Sequence, residues 1–240
     1  SNKFIFSSNI NNIFLTMDKI NGNIIKRIPT EEALVQNNFK SNLAQNNEFI
    51  FYLNTFGSLY AIDQKNYNTK WYVNLNMSIK SNLEDLFSGK QIVNNDNFIV
   101  ISSNKFTYIL DATDGSIVYQ LNIISKIKPL IMKNYLFILS NNDLLISFNM
   151  KTGEIIYSYD LNEKIAEFLK IKKKDAKFKF ITLANNNLFI ILKNSYALKF
   201  SLNGILSEVY KLPSTIRTNP IFIDKKIIFL NFKNKLVVVN

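Results

Sequence analysis

One phrase recurs five times along this 240-residue chain: an alternating apolar run, an Asp or Asn, three residues, then usually Gly. It reads FLTMD-KIN before Gly22, LYAID-QKN before Tyr67, TYILD-ATD before Gly115, LISFN-MKT before Gly153 and ALKF-SLN before Gly204, and LVVVN at 236–240 begins a sixth copy. The anchors fall at 18, 63, 111, 149, 200 and 240, which gives spacings of 45, 48, 38, 51 and 40. A period near forty assembled from short strands predicts propeller blades rather than the helical units of a solenoid.

Each repeat parses into four strands. The third predicts strands at 91–93, 98–102, 106–111 and 116–122; the fourth predicts 129–132, 135–139, 144–149 and 154–161. Short β-branched and aromatic runs broken by Asn, Asp and Gly clusters are hairpin signals, and four in succession make an antiparallel meander. The recurring Gly marks a tight turn that needs one residue at positive φ. The second repeat carries Asn66-Tyr67 there instead, so either Asn66 or Tyr67 takes the left-handed conformation. Four residues beyond that slot stand Trp71, Tyr119 and Tyr157. An aromatic at that point of an outer strand is expected to wedge between neighbouring blades.

The ends supply fewer strands: 3–7, 13–18 and 23–28 at the start, and 220–223, 226–232 and 235–239 at the finish. The expectation is one all-β domain over residues 1–240, a β-propeller of four-stranded antiparallel blades with four complete and two incomplete. It is then a piece of a seven- or eight-bladed ring, or a ring closed by an unusual pairing of its termini. The chain opens Ser1-Asn2 without Met, so a leader segment is expected to have been removed. Two stretches break the strand pattern. Residues 78–91 carry Ile79, Leu83, Leu86 and Phe87 at helical spacing, with Ser81 as a cap; residues 164–174 carry Ile165, Phe168, Leu169 and Ile171. Both are expected to project between blades, and inserted segments on one face are where propellers generally bind.

With no Cys and no His, thiol nucleophiles, His-based triads and Cys/His zinc sites are excluded. Net charge is +11, yet the lysines are mostly scattered over turns. The one dense cluster, Lys170, Lys172, Lys173, Lys174, Lys177 and Lys179, reads as a solvated basic insertion, and no nucleic-acid partner is expected. No apolar run approaches the roughly 18 residues that span a bilayer.

The stretch SGKQIVNNDNFIVISSNKFTYILDATDGSIVYQLN, together with GSLYAIDQKNYNTKW and NMKTGEIIYSYDL, resembles the quinoprotein-type β-propeller repeat. Within that superfamily a quinone-dependent dehydrogenase would call for Ca²⁺ ligands, a catalytic Asp, a stacking Trp and often a vicinal disulfide. Here no Cys exists, the single Trp occupies a repeat slot, and Asp18, Asp63 and Asp111 read as turn caps. Compact quinone-free propellers are similar to the lipoprotein of the outer-membrane β-barrel assembly machinery, the BamB-like group. That resemblance implies a periplasmic protein peripheral to the outer membrane, held there by a lipid anchor outside this chain. Its implied partners are the central barrel-assembly subunit and unfolded outer-membrane proteins. Leu212-Pro213-Ser214-Thr215-Ile216-Arg217 looks similar to that family's Pro-Ser-x-Leu-Arg loop, which implies Ile216 as an apolar anchor and Arg217 as a forked donor to the partner. The family's acidic interblade loop has its nearest counterpart in Leu83, Glu84 and Asp85, in a different chain order relative to Arg217. The reading is a non-enzymatic scaffold without cofactor. An extracytoplasmic sensor or ligand-binding propeller is the alternative, ahead of a quinone-dependent dehydrogenase fragment.

Overall fold

A computed structural model describes residues 3–31, 42–76, 87, 89, 92–223 and 226–239. They group into two compact units, Ser1–Ile124 and Ser125–Asn240. The first unit holds three sheets: β1 (Phe4–Ser8), β2 (Ile13–Asp18) and β3 (Ile24–Pro29); β4 (Leu43–Gln45), β5 (Phe49–Leu53), β6 (Ser58–Asp63) and β7 (Thr69–Asn74); and β8 (Val93–Asn94), β9 (Phe98–Ser102), β10 (Thr107–Asp111) and β11 (Ile117–Leu121). The second unit opens with β12 (Leu130–Met132), β13 (Tyr135–Leu139), β14 (Leu144–Asn149) and β15 (Glu154–Asp160), followed by α1 (Leu161–Leu169). It continues with β16 (Phe178–Ala184), β17 (Asn187–Leu192), β18 (Tyr196–Ser201) and β19 (Leu206–Lys211), then β20 (Ile221–Ile223), β21 (Lys226–Leu230) and β22 (Leu236–Val239). Every sheet is an antiparallel meander in chain order, as blades of a β-propeller are.

Strand burial follows position in the blade. The middle strands are continuous apolar runs covered on both faces: FIFYL of β5 is buried throughout, and β9, β13 and β17 nearly so. Alternate side chains of one strand therefore serve two cores. Ile50 and Tyr52 join Phe14 of the preceding blade, whereas Phe49, Phe51 and Leu53 join Ile99, Ile101 and Leu110 of the following one. In the second unit Phe137, Leu139 and Leu145 meet Leu188, Ile190 and Leu198 in the same way. No blade can bury its own faces, so stability resides in the seams between blades.

The repeated phrase is a turn with a bulge. In the first four repeats the N–H of Gly22, Tyr67, Gly115 or Gly153 donates to the carbonyl of Asp18, Asp63, Asp111 or Asn149 at 2.8–3.0 Å. The same anchor side chains accept from N–H groups inside the turn, Asp63 from Lys65 at 2.7 Å and Asn66 at 3.1 Å. Just before each anchor the register shifts, leaving one extra residue on the outer strand; the shifts fall at Thr16/Met17, Ala61/Ile62, Ile109/Leu110, Ser147/Phe148 and Lys199/Phe200. A bulge re-aims the side chain beside it. The residue that follows this one is Lys26, Trp71, Tyr119, Tyr157 or Glu208.

The wedge is observed where it can be followed. A Cβ built on Gly115 would lie 2.5 Å from Trp71 Cε3, so the ring of one blade lies flat on the turn of the next. Tyr157 meets Gly204 likewise. The exception in the second repeat is resolved by exchange. Tyr67 itself takes the left-handed conformation, φ 57°. The preceding blade has Lys26 at its wedge position, and the Tyr67 ring packs on Phe4 and Phe6 at 5.5 and 6.1 Å between centroids. The aromatic has moved from the outer strand to the facing turn.

Two expectations need correction. The fifth anchor is Ser201 rather than position 200: Gly204 N–H returns to the Ser201 carbonyl, one residue sooner than in the other turns. The second helix begins at Leu161 rather than 164, because Asp160 caps it by accepting from the N–H groups of Asn162 (2.9 Å) and Glu163 (3.1 Å). It stops at Lys170, which is left-handed at φ 54°. The helix expected over 78–91 lies outside the described residues except at Phe87 and Gly89.

Gly22 and Gly115 share the same backbone conformation, but nothing lies within 4 Å of a Cβ at Gly22. Gly22→Ala should cost about 1 kcal/mol for the positive φ alone, and Gly115→Ala roughly 2–4 kcal/mol because Trp71 must also move. Urea midpoints at constant m-value separate the two. The turn N–H groups of Lys65 and Asn66 hold the Asp63 carboxyl below its ordinary value of 3.8. Its stabilisation is therefore complete above the usual carboxylate range and lost as pH falls through the lower folded-state value. Asp63→Asn keeps the acceptor oxygen, as Asn149 does naturally, and should flatten the acid limb of the melting curve below about pH 4.

Candidate functional site

The connection from β19 to β20, residues 212–220, is held by its backbone at both ends. Leu212 N–H donates to Ser195 O at 2.7 Å in the β17–β18 turn. Further on, Arg217 N–H reaches Leu230 O at 2.8 Å, and Leu230 N–H donates to Thr218 Oγ1 at 3.1 Å. Ile216 forms a single β-bridge with Asn231. That pairing turns its side chain inward, where it is 1 % exposed among Ile191, Ala197, Leu212, Ile227 and Phe229. Ile216 is a core residue of its own seam and not an apolar anchor offered to a partner. Arg217, next in an extended stretch, points the opposite way and is exposed. Its guanidinium donates to Asn234 Oδ1, in the β21–β22 turn, where Asn234 sits at φ 56°.

Lys179 of β16 joins this edge. Its ammonium donates to the Ile216 carbonyl and lies 4.4 Å from the centroid of Phe232 and 5.2 Å from that of Phe180. Burial, and then the charge of Lys193, pull its pKa below the ordinary lysine value. Phe232 is 62 % exposed. The surface so formed presents one exposed guanidinium and a wet aromatic ring, with the Lys179 ammonium held against the loop carbonyl beneath them. Arg and aromatic side chains in such settings are the usual carriers of protein–protein binding energy. Leu83, Glu84 and Asp85 lie outside the described residues.

Two further arrangements escaped the sequence. In the first unit the Glu31 carboxylate accepts from Asn54 Nδ2, from Ser58 Oγ at 2.8 Å and from Tyr60 OH at 3.4 Å. Asn12, 2 % exposed, donates to the Glu31 carbonyl at 3.0 Å and to Thr55 Oγ1 at 2.8 Å. Burial, then the neighbouring carboxylate, push the Tyr60 phenol up to about 12. The cluster ties the segment after β3 to the β5–β6 turn. Its partners are 19 to 43 residues apart, so local pattern gives no signal beyond the Asn residues at turns. In the second unit a cleft of about 490 Å³ opens between β17–β19 and the last sheet. Its walls include Phe189 and Phe222, whose rings are 4.7 Å apart, and the Lys199–Glu208 ion pair at 2.6 Å. It lies where the wedge position carries Glu208. Among the described residues no three Asp or Glu side chains converge as a metal site, and no helix is long and apolar enough to cross a membrane.

Solved structures place this architecture. The crystal structure of BamB from Moraxella catarrhalis superposes with a TM-score of 0.73 at 12% identity, over 98% of this chain and 69% of that one. The fold is a β-propeller like that of this structure. The quinohemoprotein alcohol dehydrogenase ADHIIG from Pseudomonas putida HK5 matches with a TM-score of 0.62, also at 12% identity, over 88% of this chain and 40% of the enzyme. The sequence matches no family model and no curated protein.

Ile216→Ala should therefore cost about 2–4 kcal/mol of stability, as a large-to-small change in a closed core. Arg217→Ala, at an exposed position, should stay within about 0.5 kcal/mol. Chemical denaturation of the two variants checks the assignment.

Proposed function

We propose that this chain is a non-enzymatic protein–protein scaffold that docks through the Arg217 edge. The observation that carries the reading is the convergence of Arg217, Lys179 and exposed Phe232 on a backbone pinned at Leu212, Ile216 and Thr218. A guanidinium on a rigid support loses little entropy when it binds a carboxylate or carbonyl in two-pronged fashion. Lys179 spends its ammonium on the Ile216 carbonyl and supports the loop rather than competing for the partner.

The finer proposal is a role in outer-membrane barrel assembly, in the periplasm, with the central barrel-assembly subunit as the protein bound. Two observations support it: the likeness of the fold to BamB, and the Leu212–Arg217 segment, which keeps the order Pro213-Ser214-x-x-Arg217 with the Arg outermost. The role of Ile216 within this reading is to set the loop, not to touch the partner.

Arg217→Glu should weaken capture of the barrel-assembly subunit at least tenfold in a pull-down or by calorimetry, while thermal melting stays unchanged. Equal affinity for the variant and the parent chain would remove Arg217 from the interface and the docking reading with it.

A further inference from the structure

The segment that follows β15 has a fixed base and an unshielded tip. At the base Leu161 and Asn162 are buried, Asn162 Nδ2 donates to Asp143 Oδ2 at 3.1 Å, and Ala176 N–H donates to Asn162 Oδ1 at 2.9 Å. At the tip Phe168, Leu169 and Ile171 are 44, 41 and 51 % exposed. Ile205, in the β18–β19 turn, is 65 % exposed and lines the same shallow groove of about 380 Å³ as Phe168. The groove floor is Tyr159, and a Cβ at Gly204 would lie 2.4 Å from that ring. The turn therefore lies flat on the tyrosine and lifts Ile205 outward. Three large apolar side chains of this segment, with Ile205 beside Phe168 across the groove, stand in water.

Lysines surround them. Between 168 and 179 there are six lysines against a single carboxylate, Asp175. Lys173 is held by Asp160 at 2.5 Å and Lys164 by Glu167 at 2.8 Å. Lys170, Lys172 and Lys174 are exposed and make no ion pair among the described residues. The order Phe-Leu-Lys-Ile-Lys-Lys-Lys interleaves the two chemistries within seven residues. A nucleic acid would engage the ammonium groups and leave the apolar side chains wet. A bilayer surface uses both, since cations gather at anionic headgroups while apolar side chains reach the headgroup–acyl boundary.

We propose that this tip is a peripheral membrane contact: Phe168, Leu169, Ile171 and Ile205 enter the headgroup layer of a bilayer rich in anionic lipid, and Lys170, Lys172 and Lys174 bind its phosphates. The contact is separate from the Arg217 edge and needs no protein partner. Buried Leu161 and the clamp on Asn162 and Ala176 keep the tip in place as it inserts.

The test is co-sedimentation of the full chain with vesicles of equal parts phosphatidylcholine and phosphatidylglycerol, against vesicles of phosphatidylcholine alone. Binding is expected to the anionic vesicles and not to the neutral ones. The charge reversal Lys170→Glu/Lys172→Glu/Lys174→Glu should lower it at least tenfold. Phe168→Ser/Ile171→Ser/Ile205→Ser should lower it by a similar factor while leaving retention on heparin unchanged. Ile171→Trp supplies a readout that does not depend on the triple variants folding: its emission, after subtraction of the parent spectrum, should shift to the blue on adding anionic vesicles. No sedimentation, equal sedimentation with both lipids, vesicle binding unaffected by the serine variant, or an Ile171→Trp difference spectrum that does not move would each overturn the membrane assignment.

Discussion

The contact on which this architecture depends is the close approach of an outer-strand aromatic ring to the turn of the neighbouring blade. Trp71 shows how tight it is. The ring lies so near Gly115 that no β-carbon fits, and the indole N–H has no hydrogen-bond partner among the described residues. Shape and burial hold it, with Phe51 at 6.0 Å between centroids. The rest of the repeat serves this contact. The bulge aims the ring, the anchor carboxylate or amide closes the turn, and the left-handed residue keeps the turn low enough to be covered.

The contact also behaves as a unit across repeats. Where Lys26 stands at the wedge position, Tyr67 replaces Gly on the facing turn and fills the gap from the other side; Lys26 donates to Asn68 at 2.5 Å beside it. Where Glu208 stands there, the seam opens into a cleft whose walls include the Phe189–Phe222 pair. The same physical requirement, that apolar surface between two sheets be covered, is met by a ring on either side or left unmet. A seam left open is the natural place for polar chemistry, and Lys199, Glu208 and Tyr210 gather there, the phenol of Tyr210 pushed up to about 12 by burial and then by Glu208.

Strands were legible because their apolar runs end at Asn, Asp and Gly: 13–18, 98–102, 135–139 and 144–149 are read from the sequence residue for residue. The wedge aromatics were legible because their distance from the turn repeats. What failed was one level up. Ser201 lacks the carboxylate or amide that marks the other anchors, so the fifth turn was read one residue early. Leu161 was read into the strand because an Asp near the end of an extended run looks alike whether the strand continues past it or it caps a helix. Ile216 was expected to be an anchor because residues 212–217 resemble a partner-contacting loop; only the bridge to Asn231 decides which way it faces. The Glu31 cluster is built from residues of three connections and of strand β6, and no short window along the chain contains it.

The two surfaces of the second unit share one construction, and it explains how a small, thin-seamed fold carries functional side chains. In each, a connection between sheets is first tied down by polar groups at its base: Asn162 to Asp143 and Ala176 in one, Lys179 and Leu230 to Ile216, Arg217 and Thr218 in the other. A buried aliphatic residue, Leu161 or Ile216, then seals the base against the core. Only after that does the chain present cations and apolar groups to solvent. Ordering those side chains in advance lowers the entropy lost on binding. With 29 basic against 18 acidic residues and no histidine to titrate, the field around both surfaces stays positive and nearly constant through neutral pH. What discriminates them is the apolar component, a single ring beside a forked guanidinium in one case and a four-residue cap among lysines in the other. The first suits a folded partner with a matching acceptor; the second, apolar groups among lysines, suits a yielding anionic interface.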